Sequence, residues 1–207
     1  PELAQLSAEL PPLRPAVARW LVYSVGQPST REAALRLARG FLGATAPEAP
    51  FVGGTNLYFI HVNHAQLPLE LMDGLCYSMN PQVHTFDTDS LMENLAGQTA
   101  TLDSAEHVAP GKPISITPLT LRARANPGAS AAEPQRGTGA LPPPVDARQM
   151  LLAGAAWIVG SLQALTEPGT VASLTLFETT VWRGVMETAA GSALPEAFPS
   201  WPGMVFH

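Results

Sequence analysis

Five short runs of β-branched and large apolar residues recur along the chain: Val17 to Val25, Phe51 to Val62, Met72 to Met79, Ile114 to Leu121 and Val171 to Phe177. Runs this short that are apolar on both faces read as buried strands of a parallel sheet. Helical spacing fills most of the gaps. Leu3, Leu6 and Leu10 predict a turn or two of helix that Pro11 and Pro12 stop. Ser29 with Glu32 three residues on forms a capping box, and Leu35, Leu37, Ala38 and Phe41 supply one apolar face until Gly43 closes the helix. Asp89 or Thr88 caps a long helix through Leu91, Leu95, Leu102 and Val108. Asp146 caps an apolar helix from Met150 to Leu165, whose Gly154, Ala155, Ala156 and Gly160 allow close packing on a sheet. Strands alternating with helices predict an α/β fold with a parallel sheet. A complete eight-stranded barrel takes roughly 250 residues, so five units in 207 residues fit either part of a barrel or a doubly wound open sheet.

Residues 1–207 are expected to form one domain, interrupted at 126–145 by a Pro, Gly and Ala-rich segment with almost no large apolar residue. A loop of that length inside a compact domain predicts a flexible flap over an active site. The net charge of −6 argues against a nucleic-acid partner, because phosphate binding needs lysines and arginines that are scarce here. Arg31, Arg36 and Arg39 form the densest basic set and read as the solvated face of one helix. No apolar run approaches the ~20 residues that span a bilayer, so the chain is expected to be soluble, away from membranes. With one cysteine, Cys76, no intrachain disulfide can form, which fits a cytoplasmic setting. Cys76 lies inside an apolar run and reads as a small hydrophobe, not a nucleophile.

Candidate chemistry gathers where the strands end. The last run delivers Glu178, then Thr179, Thr180, Trp182 and Arg183; other runs end in His61, Asn63 and His64, in Asn80, Gln82, His84 and Asp87, and in Arg122. The carboxyl ends of strands are where barrels of this class place their chemistry. No Gly-x-Gly-x-x-Gly or phosphate-cradling lysine loop supports nucleotide binding, and Lys112, the only lysine, lies at the wrong end of a strand for Schiff-base chemistry. A Gly-x-Ser-x-Gly elbow is absent. His61 and His64 lie three apart in an extended segment, which points them to opposite sides, so no metal and no other cofactor is expected. What remains is metal-free hydrolysis by carboxylate and imidazole. Glu178 would act as base or nucleophile and His84 or His61 as acid. Arg122 and Arg183 would anchor an oxyanion or carboxylate, Asn80, Gln82 and Asn63 would meet hydroxyls, Asp87 would join the binding set, and Trp182 would offer a ring face to a sugar.

Several stretches together resemble one family. Asp73 to Asp87, containing Asn-Pro-Gln-Val-His, Ser90 to Leu95, Leu119 to Arg122, Val145 to Met150 and Phe177 to Glu187, containing Glu-Thr-Thr-x-Trp-Arg-Gly, are similar to the D-apionate lactonase family. The resemblance covers most of Asn56 to Phe206. It implies a glycosidase-like (β/α) barrel of which this chain holds about five strand–helix units, with earlier strands before Pro1 and further sequence beyond His207. It also implies hydrolysis of the lactone of a branched sugar acid. One departure stands out: the resemblance leads to the expectation of Glu-Leu-Asn-Arg where the chain has His61-Val62-Asn63-His64. A carboxylate that would partner Glu178 across the site is therefore missing, and paired glycosidase carboxylates lie roughly 5 to 9.5 Å apart.

The expected function is thus opening of a sugar-derived lactone, with a small-molecule sugar lactone or sugar acid as ligand. Two alternatives stand beside it: a retaining glycoside hydrolase with Glu178 as nucleophile and Asp87 as second carboxyl, and an inactive module that binds a sugar acid. A partial barrel leaves strand edges unpaired, which predicts self-association through those edges.

Overall fold

The computed structural model describes residues 2–13, 15–123, 141–142, 144–181 and 184–205. Most of the expected loop at 126–145 lies outside them. In chain order the elements are α1 (Glu2–Leu13), β1 (Trp20–Leu21), α2 (Glu32–Leu42), β2 (Phe51–Tyr58), α3 (Ile60–Asn63), β3 (Gly74–Met79), α4 (Thr88–Glu93), α5 (Leu95–Val108), β4 (Ile114–Leu119), α6 (Leu152–Thr166), β5 (Val171–Leu176), β6 (Glu178–Thr180) and β7 (Gly184–Met186). Strands β1 to β5 pair in parallel and in sequence order. A doubly wound sheet reverses its order midway; this one does not, and it is a half-barrel.

The two faces of the sheet differ. Leu75, Tyr77 and Met79 of β3, in register with Ile114, Ile116 and Leu119 of β4, are buried with Leu35, Ala38 and Leu42 of α2, Leu102 and Ala105 of α5, and Trp157 and Leu165 of α6. That face carries the core, because removing these large side chains from water is the main favourable term. The opposite face is lined by small and hydroxylic residues, since side chains alternate along a strand. Gly54, Cys76, Ser115 and Ser173 lie side by side across four strands. Arg19, just before β1, lies on this inner face and donates to the hydroxyls of Ser115 and Ser173.

Several sequence expectations need correction. The first strand is two residues long, not nine, because the chain leaves the sheet after Val22 and turns at Gly26, φ +70°, leaving Val25 fully exposed. The last strand, expected to be buried, is an edge strand paired only with β4, and its side chains are half-buried or exposed. The capping box at Ser29 does not form. Arg31 holds the N-cap position with no side-chain cap, and the neighbouring Thr30 ties the region together instead. Its hydroxyl donates to Val22 and accepts from the Gly54 N–H, and its own N–H donates to the Gly54 carbonyl. Leu37 and Phe41 are exposed, and Leu42 takes their expected place in the core. Arg39 is not merely solvated: it donates to Leu71 and Asp73 and lies over the Phe51 ring, clasping α2 to the start of β3.

The helix expected from residue 88 onward is interrupted at Asn94, and Asp87, rather than Thr88 or Asp89, caps it by accepting from the Ser90 N–H. Asp146 caps a single 3-10 turn, Ala147–Met150, ahead of α6. Gly160 of α6 lies against Leu95 of α5 and Gly154 against the backbone of Arg148 and Gln149, so these small residues serve packing on a helix and on the 3-10 turn. Helix α1 runs through Pro11 and Pro12, which fall in its last turns. Proline's fixed φ is helical, and the loss is limited to the bonds its missing N–H would have made. Among the described residues no helix is long and apolar enough to cross a membrane.

Gly54 marks the tightest point of the sheet. Its φ of +145° is open to glycine alone, and a Cβ there would fall on the Cys76 carbonyl oxygen of the neighbouring strand. Gly54→Ala is therefore expected to cost more than about 3 kcal/mol, beyond the usual range for a point substitution. Urea titration followed by circular dichroism checks this, and a midpoint equal to that of the parent chain would refute it.

Candidate active site

The carboxyl ends of β2 to β5 carry the polar residues that the sequence singled out. Phe177 follows β5, is buried, and has φ +38°; Val181 has φ +62°. A positive φ is unfavourable for residues of this bulk. Glu178 stands between these two left-handed residues as the first residue of β6, half-buried and paired with Gly184 of β7. Strained backbone of this kind persists only where the surroundings over-determine it, and it clusters at functional sites. Trp182 and Arg183 lie outside the described residues.

A second group gathers around Asp146. Gln82, at the end of β3, donates both amide hydrogens, to the Leu121 carbonyl and to Asp146, each at 2.7 Å, and its oxygen accepts from Arg148. Arg148 forks onto both Asp146 oxygens at 2.8 and 2.9 Å, while Arg122 reaches Asp146 at a longer 3.4 Å. Gln82 and Arg122 also form an isolated parallel bridge that extends the β3–β4 pairing past the strand ends. Burial pushes the Asp146 carboxyl up, but the hydrogen bonds from Arg148 and Gln82 outweigh it and hold the group well below the usual carboxylate range. The bonds to Asp146 also raise Arg148, and the charge of Asp87 adds to that. Asp87 itself is exposed, and bonding to Ser90 holds it below its ordinary value. Arg122 thus has the smallest share of the buried carboxylate, and its guanidinium sits 5.7 Å from the centre of the Phe86 ring.

The two candidate acids lie in different cavities. Exposed His84 lines a cavity of about 360 Å³ between the β3–α4 loop and α5, together with Asn80, Val83, Gly97 and Gln98. His61 and His64 share a cleft of about 290 Å³ with Arg31 and Gln66. The expectation that these histidines point to opposite sides fails because Ile60–Asn63 is a helical turn, in which residues three apart share a side. The His61 ring packs 5.2 Å from that of Tyr58, and its Nε2 is buried with no hydrogen-bond partner. Burial and the neighbouring His64 lower its pKa. Asn63 is exposed on the same turn. Among the described residues no group of three or more His, Cys, Asp or Glu is assembled to hold a metal ion. Burial, against the opposing bonds from Tyr23 and the Thr55 backbone, pushes the Cys76 thiol up to about 12.

Gln82 and Arg122 lie just past the ends of β3 and β4, and Asp87 caps α4. The local pattern marks Asp146 as a cap, which it is for the 3-10 turn, and gives no sign that it joins Gln82 and Arg148 or that Gln98 lines a cavity. The partners are 64 and 66 residues apart in the chain, so no local periodicity links them.

The model of the D-apionate lactonase TIM barrel domain family matches residues 22–205. The D-apionate lactonase of Brucella anthropi is 36% identical over 84 residues, which are 41% of this chain and 14% of that protein. The match therefore spans about one seventh of the relative's length. Among solved structures, the catalytic core of xylanase A aligns with 97% of this chain and 64% of its own, at 16% identity and a TM-score of 0.48. A thermostable mutant of a xylanase from Cellvibrio japonicus aligns with 82% of this chain and 47% of its own, at 20% identity and a TM-score of 0.39.

The Asp146 cluster generates a stability prediction. The unfolded carboxyl protonates near pH 4, while the folded one resists to lower pH, so the contribution is full above about pH 4 and is lost as pH falls toward the folded value. Asp146→Asn leaves two guanidiniums without their buried counter-charge and is expected to cost about 3 kcal/mol at neutral pH. The gap between parent and variant in urea titrations should narrow below pH 4; a gap that stays constant from pH 7 to pH 3 would contradict the charge argument.

Proposed function

The chain belongs to the D-apionate lactonase TIM barrel domain family, and from that membership we propose that the protein opens a sugar-derived lactone by adding water across its ester bond. The observation that carries the chemistry is the setting of Glu178. A half-buried carboxylate stands at the carboxyl end of the last sheet strand, flanked by two residues held at positive φ. In this proposal Glu178 is the general base. It takes a proton from water as the water oxygen bonds to the lactone carbonyl carbon, and the carbonyl electrons move onto oxygen.

Arg122 is the residue proposed to steady that oxyanion. Its support is placement: Arg122 follows β4 at the same end of the sheet as Glu178, and a guanidinium there brings a positive charge to the side where the oxyanion would form. The tetrahedral intermediate then collapses, the ring carbon–oxygen bond breaks, and the departing alkoxide takes a proton. His84 is the proposed donor. His61 suits that step less well, because a desolvated imidazole beside His64 stays neutral and acts more readily as an acceptor. The product is a hydroxy acid. Asn80, Asn63 and Asp87 are proposed to meet substrate hydroxyls, and Trp182 and Arg183 follow Glu178 closely enough in the chain to join the same site.

The test is proton release from a panel of aldonolactones that includes apionolactone, read with a pH indicator. Glu178→Gln is expected to lower the rate by about 10²-fold or more, the typical contribution of a general base. A loss smaller than about tenfold removes Glu178 from that role.

A further inference from the structure

The cavity beside His84 holds an accounting problem that the proposed reaction does not resolve. Gln98 of α5 is 5% exposed, and one end of its amide is occupied by the Ser161 hydroxyl of α6 at 2.9 Å. Its other end, Oε1, is buried and has no hydrogen-bond partner; the same is true of Oδ1 of Asn80 across the cavity. A buried polar atom left unpaired costs roughly 1–3 kcal/mol, and most native buried polar groups find a partner. Here two unpaired amide oxygens belong to residues lining one cavity, and its volume of about 360 Å³ lies in the range of small-molecule sites.

The surroundings narrow the occupant. Two other polar groups of the wall are already engaged: the Thr101 hydroxyl bonds the Gln98 backbone carbonyl and the Tyr77 hydroxyl, and the Asn94 amide bonds the Pro81 carbonyl, while His84 and Thr85 complete its polar lining. Met79, Pro81 and Val83 add apolar wall. Two neutral amides set among apolar side chains match a carbon chain bearing hydroxyls. A hydroxyl both donates and accepts, so it satisfies either end of an amide, while its C–H faces rest on the apolar wall. We propose that this cavity is the subsite that holds the hydroxylated arm of the ligand, with Gln98 and Asn80 as its hydrogen-bonding residues. The identity of that arm as part of a sugar acid rests on the lactonase reading; the existence of the subsite does not.

Binding, not turnover, tests it. Sodium erythronate, a four-carbon polyhydroxy acid, is titrated into the full chain by calorimetry, with butyrate as the control that lacks hydroxyls. Erythronate should bind and butyrate should not. Gln98→Leu should weaken erythronate at least tenfold. Because Gln98 also ties α5 to α6, Gly97→Leu gives a second route. Gly97 lines the cavity, and a Cβ there meets nothing within 4 Å, so leucine narrows the cavity while favouring the helix. This variant should keep the parent's urea midpoint and lose erythronate binding at least tenfold. Failure of the parent to bind erythronate, equal binding of butyrate, or parent-like binding by a folded Gly97→Leu chain would each overturn the subsite. An absence of lactone turnover together with Gly97-sensitive binding would sink the lactonase reading and leave the subsite standing.

Discussion

The ends of β3 and β4 and the entry to α6 are held together by a single buried carboxylate. Asp146 is 5% exposed and collects Arg148, Gln82 and, more weakly, Arg122. A charge this deep is tolerated only when paired and hydrogen-bonded. Gln82 is saturated in doing so, with both amide hydrogens and its oxygen committed. That commitment fixes the loop carrying His84, and the longer bond to Arg122 sets where that guanidinium stands. Polar groups that read along the chain as a substrate-binding series thus divide by burden: Gln82 builds the frame, while Arg122 and His84 are presented by it.

The sheet adds a second constraint. Purely parallel sheets are normally covered on both faces and read as continuous apolar runs. Here the helix-side face is apolar throughout, whereas the inner face carries Cys76, Ser115 and Ser173 in one row. Arg19 lies on that row with its guanidinium bonded to two hydroxyls. An arginine in such a place needs donors' partners and not apolar neighbours, so the small hydroxylic residues of the inner face and the cation upon it are mutually required.

The five strands of the main sheet are legible as five apolar runs separated by helical spacing; their order is not, since the same runs fit a doubly wound sheet, and the short β6–β7 pair has no apolar run to announce it. The alternation Ile114-Ser115-Ile116-Thr117 carries one apolar and one polar face, and both are buried, as the continuous run implies. Local signals were less dependable where a tertiary partner competed. Thr30, not Ser29, anchors the start of α2 because its hydroxyl meets two carbonyls and an N–H of other segments. Arg39 left the solvated face for the same reason, drawn to Asp73 and the Phe51 ring. The histidine pair at 61 and 64 depends on where β2 ends, at Tyr58 and not at Val62: an extended register separates the rings, and the turn starting at Ile60 brings them into one cleft.

The concentration of unusual groups at one end of the sheet follows from how the ladder stops. Thr120 donates to Met79 in the last regular bond between β3 and β4, and Pro81, lacking an N–H, cannot continue it. Past that point the isolated Gln82–Arg122 bridge is what remains of the pairing, and the other polar groups find partners of their own. The Pro81 carbonyl is met by Asn94, the Leu121 carbonyl by Gln82, and Asp146 by two arginines. Asn80 and Gln98 are what this redistribution leaves over, each with one oxygen unmatched beside a cavity. On the far side of β4, the last strand ends instead in the two positive-φ residues around Glu178. Unmatched acceptors on one side and a strained carboxylate on the other are separate results of ending a parallel ladder at the same edge. In the proposed reading, the first would hold a hydroxylated ligand and the second would act on it.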